Sequence, residues 1–429
     1  MLPVIEHPAA LLAFLTLFDF RLYQPQLRHL LQLLDTLLVC PGKKTLSHLY
    51  RHLFHTPDPK TAADFFRESP WKRDDISLPR QQVLLLKFLE LARPLGLTTL
   101  VVSLDDSLGP KHKDTRHLEA VAYHHDHNAS GPGAPRYVNG FVYVALHVHF
   151  GPFGFTFDTR LYLREKTVRQ LNRQRPAETR LHYRSKYHLA QEMLSGLAAL
   201  LPPGYQVYVT FDSWYASGKL IKWCRRQGWQ VICAIKRNRK VGGQQIHLHD
   251  QALKHQRYQT VTLTAAASGR ASTYYVRTFQ GALEEVPGPV CAIISRRHKG
   301  DQTPKFFICT DLNLSAQEAL RLYQRRWPVE VVNLYLKDGL GVGDFRLQSF
   351  EATDKWFAVA LLSLNYLQYQ QAVQYAQTQQ TCNLADLLRQ HRLWHWQRLI
   401  REIAEVAHQT EDVEAVVQQF MPTAEWAIL

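Results

Sequence analysis

Apolar residues recur at helical spacing over residues 11–38 and again over 82–91, the period of a helix with one buried face. Prolines at 57, 59, 70 and 79 punctuate the chain between these runs. The pattern then changes. Residues 98–104 (TTLVVSL) form a continuous apolar run of strand length that ends in Asp105-Asp106. Residues 136–150 and 155–163 alternate, are rich in Val, Phe and Tyr, and flank Gly151-Pro152, so they predict two strands joined by a turn. A helix over 187–201, a strand over 205–211 ending at Asp212, a helix over 216–227 and a strand over 229–236 complete the series. Three strands, helix, strand, helix, strand is the order of a mixed α/β sheet flanked by helices.

From about 237 to 310 the chain is β-rich again (TVTLTAA, STYYVRTF, PVCAIISRR, KFFICT), and beyond Ser315 it is helical almost to its end. The expected organisation is a helical region over 1–95, the first part of a core over 96–236, a β-rich insertion over 237–312, the rest of the core over 313–380 and a helical region over 381–429. Residues 45–66 fit either a helix-turn-helix or part of a plain bundle. The His- and Gly-rich stretch 111–135 predicts a long loop.

Composition adds a partner class. Lys and Arg number 51 against 37 acids, a net charge of +14, which favours a polyanion because phosphate contacts release counterions. The six cysteines form no CxxC pair, which argues against a zinc knuckle or disulfide framework and for reduced thiols. The apolar N-terminal stretch lacks a basic flank and is interrupted by Asp19 and Arg21, so it predicts a core helix and neither a signal peptide nor a membrane span.

Two features carry chemistry. Asp106 and Asp212 each close a predicted strand, and neighbouring strand ends bring distant carboxylates together. Carboxylates held close need a cation between them, and hard oxygen donors favour Mg²⁺ or Mn²⁺. The segment 323–337 (YQRRWPVEVVNLYLK) sets Tyr323, Arg326, Glu330 and Lys337 at offsets 0, 3, 7 and 14, one face of a helix. Charged residues make a poor core face, and a solvated face with ordinary ion pairs fits the spacing as well. Pro328 predicts a kink or a new helix start within it.

The spacing YxxRxxxExxxxxxK resembles the signature of a large group of insertion-sequence transposases, the DDE enzymes of bacterial mobile elements. LDDS at 104–107, VTFDSWYAS at 209–217 and the stretch 105–148 resemble other motifs of that group, in the right order. The resemblance implies an RNase-H-like catalytic core interrupted by a β-rich insertion, with Asp106, Asp212 and Glu330 as the catalytic, metal-binding triad for two Mg²⁺ or Mn²⁺ ions. Asp105 competes for the first place. Adjacent strand residues face opposite ways, so only one of the pair meets the metals, and the family pattern favours the Asp before Ser or Thr. Tyr323, Arg326 and Lys337 are implied DNA-end contacts. Phe306 on the insertion, with Phe307 beside it, is the implied base-stacking residue; packing inside a strand pair fits both equally. The implied partners are double-stranded DNA, as terminal inverted repeats and target, and a second copy of the chain on paired ends. The implied location is the cytoplasm, at the nucleoid.

Other residues leave alternatives open. His124, His125, Asp126 and His127, with His112 and His117 upstream, suggest a zinc hydrolase, although contiguous residues rarely converge on one ion. Lys236 and Arg237, with Arg239 and Lys240, form a basic cluster suited to a DNA backbone or to solvent. Lys111 and Lys113 fit the same two roles. Trp214 fits packing or a base wedge. A transposase-derived DNA-binding protein without catalysis is a further reading, opposed by the intact acidic motifs.

Overall fold

The computed structural model describes residues 2–53, 59–126, 137–264, 269–410 and 412–420. His127, Arg136 and part of the 45–66 and 111–135 stretches lie outside the described residues. The chain divides into two compact units, Met1–Arg80 with Asp338–Leu429, and Gln81–Lys337.

The second unit is built on one sheet. Strands β1 (Thr99–Pro110), β2 (Ala122–His125), β3 (Tyr137–Phe150), β4 (Phe153–Tyr162), β5 (Gln206–Phe211) and β6 (Gln230–Ile235) form its first half. β3 lies antiparallel to both β1 and β4, while β5 and β6 run parallel to β1 in turn. The order β4-β3-β1-β5-β6, an antiparallel meander followed by two parallel strands, is the RNase-H-like core. The sheet does not stop there. After the short pair β7 (Lys240–Val241) and β8 (Gln244–Gln245), strands β9 (Gln259–Thr264), β10 (Ala271–Ala282), β11 (Pro289–Arg296) and β12 (Lys305–Cys309) continue it from β6 in the order β12-β11-β10-β9. The β-rich insertion therefore extends the sheet of the core.

β1 departs from its expected length. The apolar run ends at Leu104, but β3 supplies an antiparallel partner all the way from Val101↔His149 to Pro110↔Gly140. The polar residues and glycine beyond Leu104 are held extended by that neighbour. On its other side β1 pairs with β5 only as far as Ser103↔Thr210, so Asp105 and Asp106 stand where one edge of the strand has just become free.

Helices cover the sheet. In the second unit they are α6 (Glu165–Leu171), α7 (Lys186–Leu200), α8 (Gly218–Arg226), α9 (Ile246–Ala252), α10 (Ala316–Gln324) and α11 (Trp327–Leu334). α10 buries Ala316, Ala319 and Leu320 against Tyr208, Ile232, Ile293 and Phe307 of the sheet. The first unit contains α1 (Ala9–Leu15), α2 (Gln24–Val39), α3 (Leu46–Tyr50), α4 (Pro59–Arg67), α12 (Phe350–Thr378), α13 (Leu384–Thr410) and α14 (Val413–Phe420); α5 (Arg73–Ala92) begins in it. α12 is buried on nearly all sides from Ala352 to Gln368, the mark of a helix in the middle of its unit. Among the described residues no helix is long and apolar enough to cross a membrane.

α2 and α13 are joined through a buried charge. Asp35 is fully buried and its carboxylate meets His7 Nδ1 at 2.6 Å, His391 Nε2 at 2.7 Å and His395 Nε2 at 2.9 Å. Burial alone would raise its pKa, but hydrogen bonds from His391, His395 and His7 overcome this and hold the carboxyl well below the usual range. A depressed acid stabilises the fold above its unfolded value and loses that contribution as the pH falls. Asp35→Ala is expected to cost about 3 kcal/mol in a urea titration at pH 7. The cost should shrink when the titration is repeated below pH ~4, near the ordinary value of an aspartate. An unchanged midpoint at pH 7 would mean that the network contributes nothing.

Candidate active site

The register of β1 against β5 decides which carboxylates share a face. Ser103 and Thr210 are paired residues, both fully buried, and their hydroxyls lie 3.0 Å apart. Paired residues of neighbouring strands point to the same side, and side chains alternate along each strand. Two residues further on, the same face receives Asp105 from β1 and Asp212 just past the end of β5. Asp212 Oδ1 accepts the backbone N–H groups of Trp214 at 2.9 Å and Tyr215 at 3.3 Å, which fixes the carboxylate over the turn.

α10 and α11 come to this same face. Ser103 Oγ donates to the carbonyl of Arg325 at 3.2 Å. Arg325 and Arg326 form the break between the two helices, and Pro328 stands in the first turn of α11, where its missing N–H is not needed. The expected interruption is therefore present. It sets Glu330 in the first turn of the new helix, with Arg326 hydrogen-bonded to it. The other guanidinium nitrogen, Nη1, stands 3.8 Å from Asp105 Oδ2. Burial pushes the Asp105 carboxyl up to about 7; Arg326 pulls it back, and Asp106, Asp212 and Glu330 push it further up. Asp105 thus senses all the other carboxylates of the site.

Asp106 faces the opposite way. Lys186, in the first turn of α7, places Nζ 2.6 Å from Asp106 Oδ2. The same ammonium lies 4.9 Å from the centre of the Trp214 ring and 5.6 Å from that of Tyr162. Tyr187 stacks on Trp214 at 4.7 Å, and its hydroxyl donates to the Trp214 carbonyl at 2.6 Å, so Trp214 packs. The sequence pattern favoured Asp106 for the first metal position; the structure turns Asp105 toward Arg326 and Glu330 and gives Asp106 to Lys186. Sequence reasoning passed over Lys186. Its signal was a lysine in the first turn of a helix after Ser185, a place where the helix dipole disfavours a cation unless an acid stands near.

The remaining candidates separate. Tyr323 is packed edge-on against Phe307, with ring centres 4.9 Å apart, and burial pushes its phenol up to about 12. Lys337 lies in a π-helical turn, Tyr335–Gly339, beyond the end of α11. Phe306 and Phe307 sit in β12 between β6 and β11, 8% and 7% exposed, so neither ring is open to a base in this arrangement. Lys236 and Arg237 are exposed just past the end of β6. β5 and β6 are parallel with Phe211 opposite Cys233, so both basic residues stand at the sheet edge that carries Asp212. Lys240 lies 3.6 Å from Glu284 and Arg239 4.0 Å from Glu285. In β2, His124 is buried near Tyr162 and His125 is exposed. Among the described residues no metal-ligating cluster includes them.

No curated protein matches the chain. A solved structure, the cryo-EM structure of a piggyBac transposase synaptic complex with hairpin DNA, aligns with 93% of this chain and 76% of its own at 10% identity and a TM-score of 0.46. The family model described as "Transposase DDE domain" matches residues 182–366, which include Asp212 and Glu330. The model described as "DDE superfamily endonuclease" matches residues 19–269, more than half of the sequence. The chain belongs to the DDE superfamily endonucleases and is a DDE transposase.

Proposed function

We propose that the protein cuts DNA at the ends of a bacterial mobile element and transfers the freed strand, with Asp105, Asp212 and Glu330 holding Mg²⁺ or Mn²⁺. The observation that carries this reading is the shared face of Asp105, Asp212, Arg326 and Glu330 at one sheet edge. Three carboxylates gathered at one sheet edge form a hard-oxygen donor set with surplus negative charge, which suits two divalent ions. Such ions, when bound, make water or a 3′-hydroxyl nucleophilic and stabilise the oxygen that leaves.

The chain's own residues do the rest. Arg326 orients Glu330 and Asp105 with its planar fork, a positioning role in place of the DNA contact expected of it. Lys186 holds Asp106 on the opposite face and offsets part of its charge. Tyr323 positions α10 against the sheet through Phe307. Lys236, Arg237 and Lys337 are the cations offered to the phosphate backbone. In the first reaction a water oxygen forms a bond to phosphorus as the P–O3′ bond breaks, leaving a 3′-hydroxyl and a 5′-phosphate. In the second that hydroxyl attacks another phosphodiester and releases a new 3′ end. Double-stranded DNA, as element ends and target, is the substrate, and two copies of the chain act on paired ends.

The test is cleavage of a labelled duplex carrying the element's own end. Asp105→Asn, Asp212→Asn and Glu330→Gln are each expected to lower cleavage at least about a hundredfold while binding persists. Asp106→Asn should leave much of it; the opposite ranking of the two aspartates would transfer the metal role to Asp106. Mn²⁺ should raise the melting temperature of the wild type, and more at pH 8 than at pH 6, because ions displace the proton that Asp105 retains up to about 7. An equal rise at both values, or in Asp105→Asn, would contradict that assignment. The double change Lys236→Ala with Arg237→Ala should weaken DNA binding for all sequences and lower the slope of log affinity against log salt by about 2; an unaltered slope would remove both residues from the interface.

A further inference from the structure

The unit formed by Met1–Arg80 and Asp338–Leu429 contains a group of donors of its own. Cys40, His48 and His52 each offer one ligand atom, and these atoms all lie within 4.8 Å of one another. Local structure explains the grouping. α2 ends at Cys40, Thr45 Oγ1 caps α3 by accepting the His48 N–H, and His48 and His52 are four residues apart on either side of the end of α3. Their rings stand edge to face with centres 5.4 Å apart.

His52 is the informative member. Its Nδ1 lies 2.8 Å from the carbonyl oxygen of Leu2. A carbonyl only accepts, so Nδ1 carries the proton and Nε2 keeps a bare lone pair. The residue is 2% exposed, and Nε2 is buried with no hydrogen-bond partner. A buried polar atom in that state is rare and needs a partner to offset its lost hydration. Cys40 is a free thiol, fully buried beside it. The neighbouring cations are engaged elsewhere. Lys44 Nζ donates to the carbonyls of Leu37, at 2.8 Å, and Cys40; Arg392 donates to those of Leu38 and Cys40 at 3.1 and 3.3 Å. Both complete the carbonyl end of α2.

We propose that Cys40, His48 and His52 bind a borderline divalent transition metal, zinc foremost, with a fourth position open to exogenous ligand. One thiolate and two imidazoles are a zinc donor set, and three protein ligands with an open position are the arrangement of a reactive or exchangeable site. An open cavity of about 460 Å³ bounded by His48, His52, Arg392 and Trp396 gives access to that position. The Leu2 carbonyl orients His52 as a second partner of a ligating ring does. The ion ties the end of α2 to α3, a helix of five residues that is too short to hold itself. The Asp35, His391 and His395 group differs, because each imidazole there already meets the carboxylate at hydrogen-bond distance.

Cobalt is the probe, because thiolate ligation gives Co²⁺ a near-ultraviolet charge-transfer absorption that oxygen and imidazole ligands do not. Full-length protein, stripped with chelator and titrated with Co²⁺, should take up one ion per chain with that absorption. Zn²⁺ should abolish the absorption and excess Mg²⁺ should not. Cys40→Ser should lack the absorption. His48→Gln, at a half-buried position, should bind Co²⁺ at least about tenfold more weakly, the least that loss of even an outer partner costs. Failure of the wild type to develop the absorption overturns the proposal. So does its persistence in Cys40→Ser, or an unaltered affinity in His48→Gln. The Asp35 group contains no thiolate and cannot imitate the signal.

Discussion

The parallel pairing of β1 with β5 is the constraint on which the site rests. It ends at Ser103 and Thr210, whose buried hydroxyls meet across the strands, and the next residues of each chain emerge at a common edge. Two more contacts complete the arrangement from the other side of the sequence. Ser103 also reaches the Arg325 carbonyl, and Phe307 of β12 meets Tyr323 of α10. The helix that carries Glu330 is thereby seated on the face that Asp105 and Asp212 share. Pro328 allows α11 to start afresh there, so that Glu330 arrives with Arg326 already beside it. β12 belongs to the insertion, which means that the inserted strands build the platform for α10 as well as enlarging the sheet.

Much of this was legible in the sequence because most elements announce themselves locally. The strand runs before Asp212, the helix at 187–201, the four longer strands of the insertion and the proline break all fall within a residue or a few of their observed places. What escaped was set by distant partners. The apolar pattern of β1 ends at Leu104, yet β3 holds the strand extended as far as Pro110. Alternation said that only one of two adjacent aspartates meets the other carboxylates, and the family pattern favoured the second. Register favours the first, and register depends on which residue of β5 lies opposite Ser103, a matter no local pattern records. The basic first turn of α7 had no visible meaning until Asp106 stood next to it. Asp35 and its three histidines are drawn from both ends of the chain, so no window of sequence contains them.

Arg326 shows how the site tolerates its own charge before ions arrive. Burial first, and then the neighbouring carboxylates, raise the proton affinity of Asp105. A guanidinium between Asp105 and Glu330 offsets part of that rise and presets their positions, because its nitrogens are fixed in one plane. The same cation would oppose divalent ions at close range, so their entry on the proposed function requires it to yield ground. Lys186 performs a related service on the opposite face: it holds Asp106 and offsets part of its charge. Two cations on two sides of one strand thus divide an adjacent pair of aspartates into a member that meets Glu330 and a member that is tied back.

The two proposed metal sites differ in the chemistry that would select their ions. The edge of the sheet offers carboxylate oxygens, which suit small hard cations and exchange them readily. The Cys40 group offers sulfur and nitrogen, which discriminate against Mg²⁺ however abundant it is. A thiolate prefers zinc by its softness, whereas a carboxylate cluster prefers an ion that keeps its waters and can pass them to a phosphodiester. A buried imidazole whose proton is already committed to the Leu2 carbonyl has no comparable use for magnesium. On both proposals the donor atoms, and not the affinity of the protein as a whole, decide which ion goes where, so an ion held for shape would not compete with ions held for chemistry.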